Sequence, residues 1–146
     1  MIWSRPCLPL DGKKVTARPH EAGDAMNDFL TLTNRILTVL AGLLGAAGVA
    51  GSAVAAHGGY GETLNTASLF ALIHAALVMA LTRGVPTRLS TLAGALVMAG
   101  ALLFCGDLAL RALAQRALFP MAAPLGGFLM IGGWLTSAVS GAFRKN

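Results

Sequence analysis

Charge is what this chain has least of. Asp, Glu, Lys and Arg make up 12% of its 146 residues, against roughly 25% in an ordinary soluble domain. A surface that poor in charge excludes a water-exposed globular protein as the first reading. Cysteine is scarce too: Cys7 lies in a polar tail and Cys105 inside an apolar segment, which excludes a disulfide framework and a cysteine-based metal centre. Aromatic residues reach only 6%, so the apolar excess must come from elsewhere.

It comes from Ala, Leu, Gly and Val, which bring the hydrophobic share to 55% and the mean hydropathy to +0.69. Small apolar residues in such numbers suit helices that approach one another closely in lipid, where dispersion contacts replace the missing hydrophobic drive. The net charge of +5 does not point to nucleic acid. That partner requires Lys and Arg gathered on one face, and here they are dispersed among tails, connections and helix ends, where they meet the lipid bilayer and its anionic head groups.

Four apolar segments follow one another. Ile36 to Ala56 runs 21 residues without a charge, long enough at about 1.5 Å per residue for a hydrocarbon core of roughly 30 Å. Ala53-Val54-Ala55 fits a signal-peptidase pattern, but the run exceeds the usual 7–15-residue signal core and three more segments follow, which favours a retained helix. The remaining spans are 64–82, 89–113 and 122–143. The predicted fold is all-α, an integral membrane four-helix bundle with antiparallel up-down topology, as the short connections require. Its transmembrane domain covers 29–146. Residues 1–28, with Pro6, Pro9 and Pro19 and no helical period, read as a disordered tail. Met26 opens a more ordinary start directly before the first apolar run, so residues 1–25 read as an upstream extension.

Lys and Arg number nine in the tail through Arg35, the middle connection and the C-terminus, against two around the third connection. That asymmetry predicts both termini of a multi-pass membrane protein in the cytoplasm.

Glycine spacing marks the packing faces: Gly42, Gly45, Gly48 and Gly51 on the first helix, Gly100 on the third, and Gly126, Gly127, Gly133, Ser137 and Gly141 on the fourth. Such faces serve either the bundle itself or a homo-oligomer or larger membrane complex. The polar residues within the spans are the candidate functional groups, because intramembrane ionisable side chains are costly. His74 follows Ala67 and Ala71 on an inward stripe, as a proton carrier or as a hydrogen-bonding tie between helices. Asp107 follows Ala93 and Gly100 at seven-residue steps, and Arg111 one turn on is its natural partner. His57 and Glu62 match the depth of Asp107 and Arg111 better than His74 does, which predicts a polar cluster at the extracytoplasmic end. One His and one Glu are too few to hold a metal ion. No spacing requires haem or any other cofactor, and no catalytic constellation is present.

Four pieces in order resemble the small four-helix membrane proteins of domain of unknown function 423: a glycine-rich first helix ending Ala56-His57-Gly58; His74-Ala75-Ala76-Leu77; Phe104-Cys105-Gly106-Asp107-Leu108; and Pro124-Leu125-Gly126-Gly127 leading to Gly132-Gly133-Trp134. The resemblance covers about Leu37 to Phe143 and implies a bacterial inner-membrane protein of four helices, with no enzyme activity to carry over. His57, His74, Gly106, Gly127 and Trp134 match the family pattern, whereas Asp107 stands where the family has a small hydroxyl residue. The expectation is therefore a non-enzymatic structural or accessory subunit, with a small transporter or proton-coupled conductor using His74 and Asp107 as the alternative.

Overall fold

Inside a bilayer no water pairs with exposed backbone groups, so each N–H and C=O must be satisfied within its own segment. The computed structural model, which describes residues 19–58 and 60–143, meets that demand with four helices. They are α1 (Pro19–His57), α2 (Gly61–Thr82), α3 (Arg88–Ala114) and α4 (Ala122–Ala142). All four are long and apolar enough to cross a membrane.

Three of the helices keep close to the expected spans, and α1 does not. It begins at Pro19 and runs 39 residues, about 58 Å at the helical rise and well beyond a hydrocarbon core of roughly 30 Å. Of the tail read as disordered, residues 1–18 lie outside the described residues, and 19–28 are helical. Proline at the first helical position costs no hydrogen bond, which makes Pro19 a fitting start rather than a breaker. At the other end α1 stops at His57 and α2 begins at Gly61, whose φ of +70° favours glycine. Glu62 therefore sits in the first turn of α2, where a carboxylate favours the helix dipole. The start of α3 is set by a capping box: Ser90 N–H donates to Thr87 Oγ1 and Thr87 N–H donates to Ser90 Oγ, each at 3.1 Å.

Neighbours in sequence pack against one another, with a lighter contact between α1 and α3. Added Cβ atoms at Gly42, Gly45, Gly48 and Gly51 would meet Met79, Ala75, Leu72 and Ser68 in turn, so α1 and α2 run in opposite directions. Likewise Gly100 of α3 faces Gly126 and Met130 of α4, while Val97 and Ala93 face Gly133. No extended contact joins α4 to α1 or α2 among the described residues, which leaves the bundle open on that side. Ala41, Val78, Ala93, Val97 and Ala101 are completely enclosed. Leu43, Val49, Ile73, Leu92, Phe128 and Leu135 point outward, as lipid-facing positions should.

Candidate functional site

The candidate residues fall into separate groups rather than one site. Asp107 is completely buried on α3, between a half-buried Gly106 and a Leu108 that packs against the core. Its Oδ2 accepts from Arg111 Nε at 2.7 Å, the expected one-turn pair. Its Oδ1 accepts from the backbone N–H of Leu118, also at 2.7 Å. Leu118 belongs to the α3–α4 connection, where Gln115 (φ 54°) and Met121 (φ 71°) both occupy the left-handed region without being glycine. Each such residue costs on the order of 1 kcal/mol, so the loop holds its shape only if other contacts fix it. Asp107 is that fixing point: one carboxylate ties Arg111 and the loop to the end of α3.

His74 is buried on α2 between two partners. Its Nδ1 lies 2.8 Å from the carbonyl of Phe70, and its Nε2 lies 3.4 Å from Trp134 Nε1 of α4. A carbonyl can only accept and an indole N–H can only donate. The pair of contacts therefore fits the tautomer in which Nδ1–H donates to the Phe70 carbonyl and Nε2 accepts from the indole. Phe70 stacks on the His74 ring at 5.6 Å and meets Phe104 of α3 at 4.9 Å. The indole edge completes a T-shaped contact with His74 at 6.4 Å. His74 thus joins α2 to a helix that otherwise packs on α3.

From the Phe70–Phe104 contact, His74 lies one turn toward one end and Asp107 nearly a turn toward the other, about 10 Å apart along the axis. The separation expected from sequence is kept. The extracytoplasmic polar cluster is not formed: His57 and Glu62 are exposed, and among the described residues no hydrogen bond or ion pair joins either to Asp107 or Arg111. The carboxylate finds its second partner in a loop amide instead. No group of three or more His, Cys, Asp or Glu side chains is placed to hold a metal ion among the described residues.

The packing residues divide as well. A Cβ on Gly100 would fall 2.7 Å from both Gly126 O and Met130 N, and one on Gly126 would fall 2.7 Å from Phe104 N. Gly133 is similarly closed by Val97 and Ala93. Gly48 and Gly51 are tight against Leu72 and Ser68, while Gly42 and Gly45 keep ordinary van der Waals spacing. Gly127 and Gly141 face open space, so they take no part in packing within the chain, and Ser137 is half-buried.

Sequence reasoning missed a second polar group at the opposite end of the bundle. Thr91 of α3 donates to Asn34 Oδ1 at 3.0 Å, and Thr38 of α1 donates to Thr82 of α2 at 2.9 Å. Asn34 is 6% exposed. It stands one residue before Arg35, at the edge of the first apolar run, where no hydropathy signal distinguishes a buried amide from a solvated one.

Helices of this length and hydropathy, joined by short connections and carrying their polar groups inward, define a multi-pass helical membrane protein. The family described as "Protein of unknown function (DUF423)" matches residues 44–127, more than half of the chain, and the protein belongs to that family. No curated protein and no solved structure matches the chain.

Proposed function

We propose that this protein is a non-enzymatic structural or accessory component of a bacterial inner membrane, with both termini in the cytoplasm, acting through the outer faces of its helices. The observation that carries this reading is the closure of two buried polar side chains, Asp107 and His74. Both oxygens of Asp107 and both ring nitrogens of His74 already have partners within the chain, and each set of bonds holds a helix or a loop in place. Groups spent in this way serve the scaffold. A conductor would need them free to exchange protons along a path, and they lie about 10 Å apart with no bond joining them.

The outer faces offer what an accessory subunit needs. The α4 helix packs chiefly on α3, and Phe128, Ile131, Leu135, Ala138 and Val139 on its other sides are exposed. An outer face of that kind gives a second copy or another membrane helix a surface to pack on through dispersion contacts. Photo-crosslinking from position 138 in native membranes, followed by purification in mild detergent, tests this directly. A crosslinked homo-oligomer or a stable larger complex is the expected result. An isolated monomer without crosslinks would overturn it, as would a proteoliposome proton flux abolished by Asp107→Asn or His74→Ala.

A further inference from the structure

The α3–α4 connection does not simply cross the end of the bundle. Gly126 of α4 lies against Phe104 and Gly100 of α3, and Gly100 faces Gly126 and Met130 in return. Ala122, one turn before Gly126, therefore stands level with about Gly106. Helix α3 continues from there to Ala114, about 12 Å farther along the axis. The chain must descend beside the last two turns of α3 before α4 can start. Leu118, whose N–H reaches Asp107 Oδ1 at 2.7 Å, marks how far down it comes, a turn deeper than Arg111.

Irregular backbone is excluded from the hydrocarbon itself, and at its boundary the polar groups still need partners. The connection supplies several of its own. Leu118 gives its N–H to Asp107, Pro120 has none to give, and Ala122 donates to the Phe119 carbonyl at 3.2 Å. Head groups and interfacial water are left to serve the remaining amides. The side chains are apolar without a break, because Arg116 is the last charged residue before a charge-free run from Ala117 to Phe143. Leu118, Phe119 and Met121 are 47%, 40% and 67% exposed. Met121 also opens a stripe that continues one and two turns on with Leu125 and Phe128, both outward on α4. The surface of the connection is thus continuous with a face that the span presents to lipid. Water would leave three large apolar side chains uncovered, whereas acyl chains would cover them.

We propose that the α3–α4 connection is an interfacial segment at the boundary of head groups and acyl chains, with Leu118, Phe119 and Met121 inserted among the lipids of that leaflet and Asp107 holding it at that depth. The partner is the phospholipid, met through apolar contact, and the inference is independent of the accessory role. Nitroxide labels at Phe119→Cys and Met121→Cys test it, in the full chain carrying Cys7→Ser and Cys105→Ala and reconstituted in vesicles of phosphatidylglycerol and phosphatidylethanolamine. Collision with oxygen, which concentrates in lipid, is compared with collision with an aqueous nickel chelate. Phe128→Cys on the outer face of α4 sets the lipid reference, and Glu62→Cys, exposed in the first turn of α2, sets the aqueous one. Both loop positions are expected nearer the lipid reference, with nickel access severalfold below that at position 62. Asp107→Ala frees the Leu118 amide and is expected to raise nickel access at position 119 severalfold. Should that variant fail to fold, the readings with Asp107 in place carry the test. Nickel access equal to that at position 62 would overturn the proposal. Shielding from oxygen and nickel alike would overturn lipid as the cover in favour of a protein partner, and unchanged access at position 119 in folded Asp107→Ala would overturn the part assigned to Asp107.

Discussion

The α1–α2 and α3–α4 seams are both built from small residues, yet the backbones meet closely along α3–α4 and only at the Gly48–Gly51 end of α1–α2. Along α3–α4 a methyl group at Gly100 or Gly126 would sit 2.7 Å from main-chain atoms of the facing helix. Along α1–α2 the corresponding distances at Gly42 and Gly45 are 3.7 and 3.6 Å, to side-chain atoms of Met79 and Ala75. A side chain can rotate out of the way of an added methyl, whereas a facing backbone can retreat only by moving its whole helix. Glycine is therefore required at the second seam and merely tolerated over part of the first.

The largest effect should come from forcing the tight seam apart. Gly126→Leu would drive its side chain into Phe104 N and Gly100 O, and a loss of about 3 kcal/mol is expected, read as unfolding at much lower temperature in mild detergent. Asp107→Ala attacks the end of the same seam by orphaning the Leu118 amide and releasing Arg111. With Arg111 half in solvent, about 2 kcal/mol is expected, together with faster hydrogen exchange in residues 115–121. Trp134→Phe removes the hydrogen bond from α4 to α2 while keeping an aromatic ring. Interhelical bonds in membranes average about 0.6 kcal/mol, so a small shift in melting is expected, and a double-mutant cycle with His74→Ala should assign it to that pair.

The sequence carried more of the fold than of the site. Hydropathy located the spans of α2, α3 and α4 to within a few residues, because the length of an apolar run is imposed by the bilayer itself. The helix α1 begins well before the apolar run that opens at Ile36, and a helix extending beyond the hydrocarbon has no apolar run to announce it. Gly100, Gly126 and Gly133 were legible from spacing. The same spacing also marked Gly127 and Gly141, which face away from the chain's other helices, because periodicity defines a face and not what lies against it. Asp107 with Arg111 was readable as a one-turn pair. The Leu118 amide was not, because any residue type carries a backbone donor and only the loop's path brings this one to the carboxylate. Trp134 was visible as part of a family pattern, but its contact with His74 depends on how α4 lies across α3.

The most direct test of the two-seam account is a matched pair of single methyl additions, Gly100→Ala and Gly45→Ala, compared by thermal unfolding under the same detergent conditions. The geometry predicts a clear fall in stability for Gly100→Ala. For Gly45→Ala it predicts no loss or a gain of about 0.5 kcal/mol, the amount by which alanine favours a helix over glycine. Equal changes in the two variants, or a larger loss at Gly45, would contradict the account.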